Sequence, residues 1–264
     1  MFYISIFIFI LITVIIVVVL LTRYLKEETD RTEKKASLLK KQMTSNIAHE
    51  LRTPVTSIRG YLETLLSCPD LPREKQHTFL ERAYNQTLRL SELISDMALI
   101  SKIEEKSSTF KKTEIDFFDV AHEVFDEFSE RIMSKNVLIE NALQPGTLLV
   151  ANRTLIYSIL RNMVENSLKY AGDDIVIHLE SFYDISEKIH YVTYYDTGDG
   201  VPEEHLERIF ERFYRVSEGR TRDDGGSGLG LSIVRNAVAF HNGKIRVSNR
   251  PEGGLMFNFS LSRE

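Results

Sequence analysis

His49 and Glu50 stand side by side in the stretch SNIAHELRTPVTSIRGYLE, residues 45–63. An exposed neutral imidazole is a competent nucleophile near neutral pH. A neighbouring carboxylate can orient or take the proton that the other ring nitrogen must hold or release. The apolar positions Leu39, Met43, Ile47, Leu51, Val55, Ile58, Leu62 and Leu65 recur in steps of three or four, which predicts a helix. On that helix His49 falls opposite the apolar sector, and Thr53 lies one turn along the same face. Pro54 lacks the backbone N–H that the Glu50 carbonyl would accept, so the helix is expected to bend or loosen beside His49. Taken alone, the same residues also describe a solvated surface pair with no chemistry.

Four later segments could hold a phosphoryl donor. In LRNMVENSLKYAG, Asn162, Asn166 and Lys169 share one face of a predicted helix. An amide carbonyl is a hard oxygen ligand suited to Mg²⁺, and a lysine suits a phosphate. Surface asparagines without a role would look the same. In YDTGDGVP, Asp196 ends a β-like run and Gly198 and Gly200 open a loop. A carboxylate there can accept a hydrogen bond from an exocyclic amine, and glycine lets backbone approach a ligand closely. In IFERFYRV, Phe210, Phe213 and Tyr214 interleave with Arg212 and Arg215. In GGSGLGLSIVRNAV, Gly226, Gly228 and Gly230 precede an apolar helical run whose free N–H groups could bind phosphate oxygens. The stretch 217–226, rich in Arg, Asp and Gly, reads as a lid. A Walker-type string with Lys after the second glycine does not occur.

HELRTP resembles the phosphoacceptor box of sensor histidine kinases of bacterial two-component systems. The four later segments, in order, resemble the N, G1, F and G2 boxes of the ATP-binding domain shared by histidine kinases, gyrase-type topoisomerases, Hsp90 chaperones and mismatch-repair ATPases. The resemblance implies that His49 is phosphorylated, that Glu50 aids proton transfer, and that Thr53 positions water for phosphatase work on a partner. It implies that Asn166 holds Mg²⁺, with Asn162, Lys169 and Tyr170 near the nucleotide. It implies that Asp196 binds the adenine amine, and that Gly198, Gly200, Gly226, Gly228, Leu229 and Gly230 line the ATP site. ATP and Mg²⁺ are the implied cofactors, and a response-regulator receiver domain is the implied partner. Two other classes stay open on the residues: an ATP-binding scaffold without catalysis, and an ATP-hydrolysing clamp that works independently of His49.

The elements that must position these residues follow from the pattern. Helices are predicted over about 34–67 and 73–106, joined by a short loop at Cys68–Pro72, which favours an antiparallel hairpin. Each helix has a long apolar stripe. A homodimer is therefore expected, two copies forming a four-helix bundle that buries both stripes; docking of the hairpin on the C-terminal domain is the alternative. Beyond residue 112, β-like runs at 137–140, 147–150, 175–182, 191–195, 244–247 and 255–261 alternate with helical stretches at 120–135, 153–170, 203–209 and 229–240. This reads as an α/β sandwich, so the fold class is α+β.

The chain has 264 residues and a net charge of −5, with no basic balance that would suit direct nucleic-acid binding. Cys68 is the only cysteine, so no intrachain disulfide can form. Residues 2–21 carry no charge, and about 20 apolar residues suffice to span a bilayer core. Arg23, Lys26 and Arg31 follow them, so a single-pass transmembrane helix in the cell membrane is expected, with the catalytic part in the cytoplasm. The expected division is a transmembrane helix at 1–22, a linker at 23–37, a phosphotransfer hairpin at 38–108 and an ATP-binding domain at 109–264.

Overall fold

In a computed structural model of the chain, which describes residues 2–105, 110–216 and 226–262, one helix (α1) runs unbroken over Phe2–Ser67. Side chains at 3–19, 30 and 32–43 lie outside the described residues. The helical assignment passes through Pro54 without interruption. The expectation of a transmembrane helix at 1–22 is corrected here. Among the described residues, no helix is long and apolar enough to cross a membrane. The described side chains of that stretch, Phe2 and Leu20–Thr22, are followed at once by Arg23, Lys26, Glu27 and Glu28, which falls far short of the run of about 20 apolar residues that a bilayer core requires. Single-pass localisation and the membrane as a partner, which rested on that span, are withdrawn with it.

The helix ends at Ser67 and the chain turns through Cys68–Pro72, with the Leu71 N–H donating to the Cys68 carbonyl at 3.2 Å. A second helix, α2 (Arg73–Glu104), starts directly after Pro72 and carries Glu74 in its first turn and Lys102 in its last. Both charges oppose the partial charge at their end of the helix. Tyr61 of α1 stacks on Phe79 of α2 with ring centroids 5.9 Å apart, closing the hairpin. The chain divides into two compact units, Met1–Thr53 and Pro54–Glu264.

Within the second unit, five strands form a sheet: β2 (Leu138–Asn141), β4 (Val176–Asp184), β5 (Ile189–Asp196), β7 (Leu255–Ser262) and β6 (Ile245–Asn249), in the order β2-β4-β5-β7-β6. The β2–β4 pair is parallel and the others are antiparallel. A two-stranded sheet joins β1 (Thr113–Asp116) to β3 (Leu148–Ala151). Period-two alternation sends Ile177, Leu179, Val192, Tyr194, Phe257 and Phe259 to one face. They share a core with α3 (Phe117–Glu127), α5 (Arg153–Tyr170) and α7 (Gly230–Phe240) through Val120, Leu155, Ile159, Met163, Val234 and Ala237. Each such side chain contributes about 1.5–3 kcal/mol by leaving water. Two short helices, α4 (Ser129–Ser134) and α6 (Glu203–Leu206), complete the described residues.

Caps fix where the core helices begin. Asp116 accepts from the Phe118 N–H at the start of α3, and Asn152 accepts from the Leu155 N–H at the start of α5. His241, fully buried after α7, ties these elements together. Its Nε2 accepts from the Asn152 N–H at 3.0 Å, and its Nδ1–H donates to the Ala237 carbonyl at 2.7 Å. Burial pushes its pKa down to about 4, with the nearby Lys112 charge acting the same way against the Ala237 bond. It is therefore held as a neutral imidazole.

The hairpin also meets the rest of the second unit. Leu93 and Ile100 of α2 form a separate buried cluster with Leu229 and Ile233, flanked by Met97, Leu99 and Phe213. The Ser227 hydroxyl donates to Asp96 at 3.2 Å, and Arg212 pairs with Glu104. Within the second unit, α2 thus packs against the start of α7.

Candidate active site

His49 belongs to the first compact unit. Its side chain is 67% exposed, as its place opposite the apolar sector predicts, and Glu50 Oε1 lies 3.8 Å from Nδ1. That distance is an ion-pair approach, longer than a hydrogen bond. The Thr53 hydroxyl donates to the His49 carbonyl at 3.2 Å, which places it one turn from the imidazole on the same helix. The three residues are thus adjacent, with the imidazole open to solvent.

The remaining candidates lie in the second unit. On α5, the Asn162 amide nitrogen donates to the Ser158 carbonyl at 2.7 Å, which turns its oxygen toward the first turn of α7. A Cβ on Gly230 would sit 2.5 Å from that oxygen, so only glycine admits this approach. The Asn166 amide has no hydrogen-bond partner among the described residues and keeps a hard oxygen ligand available for Mg²⁺. Among those residues no group of three or more His, Cys, Asp or Glu could hold a metal ion, so a divalent ion here would take its other ligands from phosphate oxygens and water. Glu165 bridges Lys169 at 2.6 Å and Arg161 at 3.3 Å. Burial works against its ionisation, but the Lys169 hydrogen bond and the two cations outweigh it and hold its pKa below the usual carboxylate range.

The glycine segment closes over this helix. The Gly226 N–H donates to Tyr170 Oη at 3.4 Å, and a Cβ on Gly226 would lie 3.6 Å from Lys169 Nζ. Gly228 has φ +68 and passes its carbonyl to the Phe213 N–H at 2.8 Å. Leu229, at the cap position of α7, supplies no side-chain hydrogen bond to the first turn. Those N–H groups are the kind that donate to phosphate oxygens. The structure therefore brings Asn162, Lys169, Tyr170, Gly226, Gly228, Leu229 and Gly230 together. The lid expected at 217–226 falls, up to residue 225, outside the described residues. Of the aromatic segment, Phe210 enters the core and Phe213 joins the cluster facing α2.

Asp196 ends β5 and is 3% exposed. Its Oδ1 accepts from the N–H groups of Gly198 and Leu255, each at 3.2 Å, and its Oδ2 accepts from the Ser167 hydroxyl at 2.7 Å. A Cβ on Gly198 would lie 2.5 Å from Ala171, which places the loop against the end of α5. Gly254, at φ +98, lies so close that a Cβ would fall 1.8 Å from the Asp196 carbonyl oxygen. Past Gly200 the loop is pinned by Asn249, which accepts from the Val201 N–H and donates to its carbonyl. Sequence reasoning missed Ser167, Asn249 and Gly254. Ser167 left a signal, because it is a polar residue four after Met163 and three after Val164, on the apolar face of its helix. Asn249 and Gly254 left none, since their partners lie some fifty residues away in the chain.

Between α2 and the glycine segment, burial pushes the Asp96 carboxyl up to about 6, against the Ser227 hydrogen bond and the Arg161 charge.

Comparison with known proteins agrees with this arrangement. Residues 39–106 match the His Kinase A (phospho-acceptor) domain, and residues 151–264 match the family of histidine kinase-, DNA gyrase B- and HSP90-like ATPases. The chain is 31% identical over 223 residues to the sensor histidine kinase RppB of Synechocystis, covering 83% of this chain and 48% of that protein. It is 30% identical over 226 residues to the sensor histidine kinase YcbM of Bacillus subtilis, covering 84% of this chain and 71% of that protein. A solved structure of histidine kinase ThkA in complex with response regulator protein TrrA superposes with a TM-score of 0.64 at 27% identity, covering 90% of this chain and 66% of that one. The chain spans only 36–49% of the length of several curated relatives it matches, RppB included. With the phosphoacceptor helix and the ATPase sandwich joined in one polypeptide, the chain belongs to the sensor histidine kinase family.

Proposed function

We propose that this chain is an ATP-dependent protein histidine kinase that phosphorylates His49 and passes the phosphoryl group to an aspartate of a response regulator. The observation that carries the reading is an exposed imidazole inside the phosphoacceptor match, in the same chain as a buried carboxylate and glycine cradle inside the ATPase match. ATP supplies the γ-phosphoryl group, and Mg²⁺ supplies neutralisation of the phosphate charge.

The chain's own residues then divide the work. Asp196 accepts a hydrogen bond from the adenine amine, with Gly198 and Gly200 keeping its loop clear of the base. Lys169, Tyr170, the segment Gly226, Gly228 and Leu229, and the first turn of α7 that begins at Gly230 face the phosphates, and Asn166 would lend its amide oxygen to the metal with Asn162 beside it. Glu50 is nearest to Nδ1 of His49. Nε2 is therefore the attacking nitrogen, and Glu50 orients and takes the Nδ1 proton as the ring acquires positive charge. Thr53 positions water for the opposing activity, hydrolysis of the regulator's aspartyl phosphate to aspartate and inorganic phosphate. The hairpin, assigned to 38–108, exposes Val55, Leu62, Leu66, Leu80, Leu88 and Ile94, an apolar surface that suits a second copy in a four-helix bundle. The ATP-binding domain is assigned to 109–264. The response regulator as partner is supported by the complex of the solved relative ThkA.

The test is incubation of the full chain with γ-labelled ATP and Mg²⁺. Acid-labile, base-stable label on wild type and none on His49→Gln is the expected result. Label that persists on the variant refutes the assignment of the acceptor, and ATP turnover without any label refutes the kinase reading.

A further inference from the structure

The Asp196 carboxylate is held by more than its own loop. Ser167 on α5 is 1% exposed and Tyr194 on β5 is 0% exposed. Tyr194 Oη lies 3.0 Å from Ser167 Oγ, which lies 2.7 Å from Asp196 Oδ2. Each hydroxyl has one proton, and an ionised carboxylate can only accept. Ser167 therefore directs its proton to Asp196, and Tyr194 directs its proton to Ser167. Burial raises the pKa of the Tyr194 hydroxyl well above its ordinary range, so it stays a donor.

Other helical hydroxyls of this chain show what Ser167 would otherwise do. Thr53, Thr64 and Ser158 each donate to the carbonyl four residues back. That is the local option for any Ser or Thr in a helix. The Ser167 proton instead crosses from the helix to the sheet. With Tyr194 donating into the serine oxygen from one side, the hydroxyl hydrogen is left to face the carboxylate.

The result is a count of acceptor positions. An ionised carboxylate offers about four. The Gly198 and Leu255 amides occupy those of Oδ1, and Ser167 occupies one on Oδ2. One position remains, on Oδ2, and it can be satisfied only by a donor. Adenine carries an amine at purine position 6, whereas guanine and hypoxanthine carry a carbonyl that would meet the carboxylate unpaired.

We propose that Ser167 and Tyr194 are positioning residues that set the base specificity of the nucleotide site, by leaving Asp196 a single fixed acceptor for the purine 6-substituent. The proposal rests on the reading of Asp196 as the base-binding carboxylate. Neither residue touches the nucleotide; both act through Asp196.

The test compares binding of ATP and inosine triphosphate, which exchange an amine for a carbonyl at position 6, to the full chain by calorimetry. Variants are Ser167→Ala, the near-isosteric Ser167→Cys and Tyr194→Phe, with Asp196→Asn as the control on the site itself. Wild type is expected to prefer ATP by about tenfold or more, the scale of one hydrogen bond to a charged group. Both serine variants narrow that ratio by about fivefold or more, and Tyr194→Phe, which keeps the ring packed, narrows it by about two- to threefold. The autophosphorylation kcat at saturating ATP stays near wild type, with the change in KM. An unchanged ATP-to-inosine-triphosphate ratio in the Ser167 and Tyr194 variants, with both affinities moving together, overturns the proposal in favour of simple packing. If Asp196→Asn also leaves the ratio unchanged, the base-site reading itself fails; if it alone collapses the ratio, only the relay fails.

Discussion

His49 and Asp196 are the two ends of the proposed chemistry, and they are built in opposite ways. The imidazole is 67% exposed, its nearest carboxylate is 3.8 Å away, and its surroundings are one face of one helix. The carboxylate is 3% exposed and accepts three hydrogen bonds, one each from a strand, a loop and a helix. A group that must be reached in turn by a nucleotide and by a partner protein cannot be enclosed. A group that must tell one purine from another has to be fixed before the ligand arrives, because its specificity lies in which lone pairs are already taken. The contrast implies that substitutions at the first site change chemistry without stability, and that substitutions around the second change both.

The largest expected effect tests the first half of that contrast. His49→Gln abolishes labelling from ATP while the unfolding free energy from urea titration stays within about 0.5 kcal/mol of wild type, since an exposed side chain away from packing contributes little. A clear loss of stability would show that His49 is a structural residue after all. Gly254→Ala tests the other half. Its Cβ would meet the Asp196 carbonyl oxygen at 1.8 Å from a backbone at φ +98. The expected cost is roughly 3 kcal/mol or more, with ATP binding lost alongside. Wild-type stability with ATP bound normally would refute the tight coupling of fold and site.

Two pH effects sharpen the comparison, and they run in opposite directions. His241 has its pKa lowered from 6.5 to about 4, so the unfolded chain binds the proton first. Its contribution is complete above pH 6.5 and falls away as the pH drops through 4, by about 3 kcal/mol in total. Unfolding free energies measured over that range in wild type and His241→Gln should converge at the acid end; a constant difference would contradict the buried neutral imidazole. Asp96 has its pKa raised from 3.8 to about 6. Its stabilising contribution is present below about 4 and is lost as the pH rises through 6. Glu92, Arg161, Glu165 and Ser227 are the groups that act on it. The smallest effect is expected here, because Asp96 is part-exposed and solvent screening cuts the full linkage value: Asp96→Asn gains stability relative to wild type between pH 4 and 6, by about 1 kcal/mol. A difference that ignores pH would place Asp96 in solvent.

Much of the second unit was legible because its elements are marked locally. The helix at 153–170 was read to its true ends, since Asn152 caps it and its apolar residues keep a 3.6-residue period. The six β-like runs correspond to β2–β7 within one or two residues at each end. What was missed depended on partners far away. Thr113–Asp116 is a strand only because it pairs with Leu148–Ala151, and nothing in four residues announces that. The stretch at 120–135 reads as one helix, but Phe128 stops the ladder and turns inward to the core, so α3 and α4 are separate. The parallel pairing of Leu138–Asn141 with Val176–Asp184 has no local signature either. At the N-terminus the apolar run reads as a membrane span, whereas among the described residues no helix is long and apolar enough to cross a membrane. At the site, residue types showed which groups could touch a ligand. The residues that hold those groups, Ser167, Tyr194, Asn249 and Gly254, became visible only once the chain was folded.

The place of β7 in the sheet sets an order in time. It lies between β5 and β6, pairing Ile189 with Ser262 and Tyr195 with Met256 on one side and Val247 with Phe257 on the other. Until Leu255–Ser262 is available, β5 has an open edge and β6 has no neighbour at all. A nascent chain on the ribosome can therefore form its hairpin helices early. Its nucleotide-binding half waits for the last strand, exposing an aggregation-prone edge in the interval. Synthesis rate and chaperone access thus bear on the yield of this half and hardly at all on the hairpin.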